Sequence, residues 1–210
     1  WIIPVQAQHT ISGTFSPAKE YTYLLAYHLN PGGQNYVADT AIKDGRFTLN
    51  IDATKPTGIY RMVYAVPQEE FYFDVIYNGK EDVVLQCDST QGVTFTASEE
   101  NIPYGTYFKE INALEQDIVS FYSSENTNVK EYETILQRLK ALQDNSEKQS
   151  KGLLANAFIS ANRPYIPSGY ESLPQFVSNR KEHYFDEIDL RDTTLQASGF
   201  LIDKLVNYVF

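Results

Sequence analysis

Between residues 8 and 98 the sequence is cut into short lengths by turn-forming residues, spaced so closely that only β-strands fit between them. The punctuation is Asn30-Pro31-Gly32-Gly33, Asp44-Gly45, Pro56-Thr57-Gly58, Asn78-Gly79 and Gln91-Gly92. Asp-Gly and Asn-Gly tolerate the positive φ that tight hairpins need. The lengths between the turns are rich in Val, Ile, Thr, Tyr and Phe, and they predict strands over 9–15, 20–29, 35–42, 46–51, 58–66, 71–77, 81–88 and 93–97. Alternation is explicit in two of them. Tyr21, Tyr23, Leu25, Tyr27 and Leu29 share one face, opposite Glu20, Thr22 and His28, and Tyr60, Met62, Tyr64 and Val66 line up in a later strand. Seven or eight short antiparallel strands of this kind predict a β-sandwich.

After residue 98 the texture changes. Only four of the eleven glycines lie there, and the apolar spacing becomes helical. Phe108, Ile111, Leu114 or Glu115, Ile118, and Phe121 or Tyr122 step by three and four. A second run through Val129, Tyr132, Leu136 and Leu139 continues into Leu153, Leu154, Ala157, Phe158 and Ala161, a helix of about 30 residues stopped by Pro164, with Gly152 as a point of weakness costing ~1 kcal/mol. Two short helices around 170–187 and a last one near 199–209 complete the region. The fold class expected is therefore α+β, an N-terminal antiparallel sandwich over 8–98 followed by a helical region over 99–210, joined near Ser98–Pro103.

The composition narrows the function. The 210 residues carry a formal charge of −10. Six basic and ten acidic residues precede residue 99, and eleven and seventeen follow, so neither half is a charged tail. That balance argues against nucleic acid, which is held by clustered Lys and Arg. No apolar run is long enough for a bilayer-spanning helix. The first residues, WIIPVQA, are apolar and end in a small-x-small pattern, Val5-Gln6-Ala7; residues 1–7 read as the remnant of a secretory signal peptide and Gln8 as the mature start. The expected location is outside the inner membrane, in the periplasm or associated with the cell envelope.

No pattern for catalysis, metal or cofactor stands out. Cys87 is the single cysteine, on a strand face with Val83 and Leu85 and without Lys, Arg or His beside it to lower its pKa, so it reads as a core thiol. His9, His28 and His183 are far apart in sequence and lack zinc-ligand spacing. Asp186, Glu187, Asp189 and Asp192 lack the central Gly and closing Glu of a calcium loop, and read as a solvated helix terminus. Gly32-Gly33 opens no phosphate-binding strand–loop–helix unit, and no nucleophile elbow is present. What remains is aromatic: sixteen Tyr and twelve Phe. In FYFDVIYN rings fall on both faces, and the candidate binding face is Tyr60, Tyr64, Phe71, Tyr72, Phe73 and Tyr77. A sandwich buried on both sides would absorb the same residues as core.

HTISGTF, EYTYLLAYHL, DTAIKDGRFTLNID, TGIYRMVYA and EDVVLQCD together resemble the domain of unknown function that precedes a thioredoxin-like domain in exported thiol–disulfide interchange proteins of the TlpA and AhpC type. FISANRPYIPSGYESL and HYFDEIDLRDTTLQASGFLIDKLVNYV resemble the helical linker of such proteins. The resemblance covers about residues 8–210 and rests on diffuse pattern. It implies redox chemistry on a Cys-x-x-Cys located after the last helix, so no redox residue falls on any position up to Phe210. The expected role is that of a non-catalytic module, without cofactor, that positions or recognises protein clients or mediates a homodimer, with a thioredoxin-like domain as partner in the same polypeptide. The alternative is a free-standing periplasmic or surface protein that binds glycan or peptide on the Tyr-rich sheet face.

Overall fold

The computed structural model describes residues 9–18 and 20–209. The signal-peptide remnant over 1–7 and the start at Gln8 lie outside the described residues. Eight strands come first: β1 His9–Ser16, β2 Tyr23–Asn30, β3 Gly33–Ala41, β4 Arg46–Ile51, β5 Gly58–Val63, β6 Tyr72–Tyr77, β7 Val83–Asp88 and β8 Gly92–Ala97. Six helices follow: α1 Asn101–Ser123, α2 Val129–Gln149, α3 Ala155–Ala161, α4 Leu173–Glu182, α5 Thr193–Gln196 and α6 Phe200–Val209. The α+β class stands, with strands in two packed four-stranded sheets ordered β4-β1-β7-β8 and β3-β2-β5-β6.

All neighbours are antiparallel except β1 and β7, which run parallel from Ile11 opposite Val83 to Ser16 opposite Asp88. The sheets are thus mostly antiparallel, as expected, with one parallel pair that the sequence pattern does not signal. The first strand lies between β4 and a strand seventy residues later, and local periodicity carries no information about so distant a partner. The hairpin turn between β3 and β4 follows the sequence closely. Asp44 and Gly45 both take positive φ, 50° and 72°, and Lys43 and Arg46 exchange two backbone hydrogen bonds of 2.9 Å across them.

The core between the sheets takes Ile11, Phe15, Leu49, Leu85 and Cys87 from one sheet and Leu24, Ala26, Tyr60, Met62, Val75 and Tyr77 from the other. In β2 the buried set is thus Leu24 and Ala26, while the expected stripe of Tyr23, Leu25 and Tyr27 is half-buried on the other face. A bulge between Ala26 and Tyr27 interrupts the register, after which Leu29 is buried.

The chain divides into two compact units. One runs to Ile102 and includes Thr193–Ser198, and the other comprises Pro103–Asp192 and the residues from Gly199 onward. Within the first, Asn101 terminates the edge strand β6. Its side-chain oxygen accepts from the Ile76 N–H and its amide donates to the Ile76 carbonyl, both at 2.8 Å, so one side chain imitates a further strand residue. Ser98 accepts from the Asn101 backbone N–H at 3.0 Å, and the Glu81 carboxylate receives the Ser98 hydroxyl and the Glu99 N–H. Free N–H groups at the start of α1 are satisfied in this way.

In the second unit α1 buries Tyr107, Ile111, Leu114, Ile118 and Phe121, a stripe stepping by four and three. It begins on Tyr107 and not on Phe108, because the Tyr107 hydroxyl has a partner: it donates to Gln143 Oε1 at 2.7 Å. Gln143, fully buried on α2, donates in turn to the Ile159 carbonyl of α3 at 2.9 Å. The helical run expected from Val129 to Ala161, with Gly152 as its candidate break, is two helices. Gly152 at φ +89° breaks it, and the last turn of α2 closes on Ser150, whose N–H donates to the Ser146 carbonyl. At the other end Asn128 caps α2.

Candidate functional site

The six aromatics of the expected binding face do not gather on one exposed surface. Tyr60, Phe73 and Tyr77 lie in the core between the sheets, with Tyr60 and Tyr77 in edge-to-face contact at 5.2 Å. Burial, and then the neighbouring Tyr77, raises the Tyr60 pKa, and its hydroxyl donates to the Pro56 carbonyl at 2.6 Å. Tyr64 packs at the core margin against Tyr21, Phe15 and Phe73, with the half-buried Phe71 on its edge. Tyr72 alone is open, 36 % exposed, on the opposite face of its strand. Arg61 lies 3.8 Å over its ring and forks onto Asp74 through two bonds of 2.9 Å. Ile59, Val63 and Ile76 on that same face are buried. The expectation of a common docking face therefore gives way to core packing: period-2 alternation sends Phe73 and Tyr77 inward and leaves Tyr72 outside.

Cys87 faces the core and is 7 % exposed. Burial first, and the Asp88 carboxylate second, push its thiol up to about 11, so the thiolate is scarce near neutrality. The histidines are separate. His9 Nδ1 lies 3.6 Å from Asp82, His28 Nε2 lies 3.2 Å from the Thr57 carbonyl, and His183 stacks parallel on Tyr165 at 5.3 Å. His183 Nδ1 is 2.7 Å from Asp186, which raises its pKa. In the acidic stretch Asp189 accepts from the backbone and Nε of Arg191, as a turn does. Among the described residues no three His, Cys, Asp or Glu side chains are grouped to hold a metal.

A concave feature lies in the helical unit, between α1 and α4. Helix α1 contributes Glu115, Ile118, Val119, Tyr122 and Ser123, and α4 contributes Leu173, Phe176, Val177 and Arg180. Both sets follow i, i+3, i+4, i+7, so each is one helix face. Leu139 of α2 and the Pro164-Tyr165 pair after α3 complete the wall. The cavity holds about 210 Å³ and is open on one side, where Val119, Leu173 and Val177 are about half exposed. Its inner wall is rigid and aromatic. Tyr122 and Phe176 rings are 5.4 Å apart, the hydroxyls of Tyr122 and Tyr132 are hydrogen-bonded at 2.8 Å, and the Tyr122 hydroxyl reaches the Glu171 carbonyl at 3.0 Å. Tyr165 and Asn179 both donate to Glu171 Oε1 at 2.8 Å. The charges lie together: Arg180 is 3.6 Å from Glu115.

Ile118 and the Phe121 or Tyr122 position belong to the expected stripe of α1 and Leu139 to that of α2, whereas Val119, Leu173 and Val177 are not among the expected apolar positions. The available signal was that second apolar positions, Val119 and Val177, sit directly beside the main stripes of both helices. No protein-family model matches the chain, and no curated protein matches it either.

Proposed function

We propose that this chain is a non-catalytic module of an exported thiol–disulfide oxidoreductase of the thioredoxin-like family, acting in client positioning, recognition or dimerisation. The observation that carries the reading is Cys87. It is the single cysteine of the sequence, and its burial and raised pKa are the opposite of what an attacking thiol requires. The order of a sandwich followed by helices agrees with the architecture the resemblance implies. The export signal read in residues 1–7 belongs to the same proposal. Two measurements test it. The purified chain reduces insulin no faster than its Cys87→Ser variant, and turnover above that control overturns the non-catalytic role. The reading frame beyond Phe210 encodes a strand–Cys-x-x-Cys–helix pattern, and a stop codon there overturns the link to redox chemistry. A second reading, a free-standing binding protein, is favoured by one observation: the apolar cavity between α1 and α4. Its platform is the helices and not the tyrosine-bearing sheet.

A further inference from the structure

We propose that the cavity between α1 and α4 binds a small apolar molecule carrying one negative charge, a medium-chain or arylalkyl carboxylate, with its body against Val119, Phe176 and Val177 and its head group on Arg180. This assignment rests on the cavity and is independent of any redox domain.

Size comes first. An apolar cavity of about 150 Å³ in another protein is enough to admit benzene. At about 210 Å³ this one has room for an aromatic ring or a short alkyl chain, and its open side leaves a path for entry. The walls are the second point. Val119, Leu173 and Val177 are 49, 48 and 53 % exposed, yet they converge on the same space and present their apolar surface to water. A ligand that covers them gains the free energy of that burial. Because Phe176, Tyr122 and Tyr165 are locked by ring contacts and hydrogen bonds, the site needs little rearrangement.

Charge selects the head group. Arg180 sits among the wall residues and meets Glu115 at 3.6 Å through a single contact, which uses little of a guanidinium's five-donor fork. Lys204 is engaged elsewhere: its ammonium lies 5.4 Å from the Tyr184 ring and 5.5 Å from the Phe200 ring, outside the cavity wall. A carboxylate arriving along the apolar wall takes up the guanidinium donors that Glu115 leaves.

Octanoate, octanol and octylamine are the probes, measured by calorimetric titration of the full chain. Octanoate binds saturably at one site, and tighter than octanol by roughly threefold to tenfold, the range for a charge-assisted contact on a half-exposed arginine. Arg180→Met brings octanoate to the affinity of octanol, and Val177→Trp, which fills the cavity from an exposed position, abolishes binding of both. Circular dichroism confirms that each variant is folded. The proposal is overturned if octanoate does not saturate at millimolar concentration. It is equally overturned if octanol or octylamine binds as tightly, or if Val177→Trp leaves octanoate binding unchanged.

Discussion

In the sandwich Phe15, Tyr21, Tyr64 and Phe73 pack ring upon ring, against a core that holds Leu24, Leu49, Val75 and Leu85. In the helical unit the aromatics end in polar contacts: Tyr107 on Gln143, Tyr122 on Tyr132 and the Glu171 carbonyl, and Tyr165 on Glu171. The same residue type thus does two jobs. Between sheets, side chains of alternate positions interdigitate in one layer, and any gap would cost stability. Helices meeting at their i, i+3, i+4, i+7 faces leave spaces that large rings bridge by their hydroxyls, and here one such space stays open. Helices α1 and α4 thus border a cavity of about 210 Å³, whereas the strands share one apolar layer.

The contrast can be broken most readily at core leucines. Leu85→Ala, at 1 % exposure between the sheets, lowers stability by about 2–5 kcal/mol in urea unfolding. If Leu85→Ala costs less than 1 kcal/mol, roughly what an exposed substitution would, Leu85 is not packed in the sandwich core. Asn101→Ala comes next. It strips the Ile76 N–H and carbonyl of their partner at a buried strand edge, for a loss of about 1–3 kcal/mol. Tyr107→Phe sharpens the polar half of the comparison: it leaves the ring in place but deprives buried Gln143 of a donor, and costs about 1–2 kcal/mol by the same measurement.

Alkaline pH has a smaller effect. Burial raises the pKa of Tyr60, Tyr107 and Tyr132 above the ordinary 10.0, and that of Cys87 from 9.0 to about 11. The folded chain holds these protons where the unfolded chain has begun to release them. Their contribution to stability is complete below pH 9 and is lost as pH rises from 9 through 11 for the thiol, and from 10 upward for the tyrosines. The urea midpoint therefore falls across this range, and Cys87→Ala flattens its first part. A midpoint that rises with pH contradicts the burial of these groups. The smallest effect is at Val177→Ala, which changes stability by less than about 0.5 kcal/mol because the side chain is half exposed in an open cavity.

Much of the strand order was legible because each strand is bounded by residues with a local conformational reason to turn, as at Asp44-Gly45. The pairing of β1 with β7 was not, since nothing within either strand encodes a partner so far along the chain. Which face of β2 turns inward is also hidden, because both are apolar over Tyr23–Tyr27: Leu24 and Ala26 enter the core, and Tyr23, Leu25 and Tyr27 are half-buried. In the helices the apolar stripes were readable, but Tyr107 in place of Phe108 depends on Gln143, 36 residues away. The cavity depends on two helix faces, 115–123 and 173–180, meeting in space. Periodicity reveals each face singly and not the volume left between them.

The most direct test of the division between scaffold and binding half is methyl NMR of the full chain during titration with octanoate. The account predicts shifts at Ile118, Val119, Leu139, Leu173 and Val177, with Leu24, Val75 and Leu85 of the sandwich core unmoved. Shifts concentrated on the sandwich methyls, with those around the α1–α4 cavity unchanged, would contradict it.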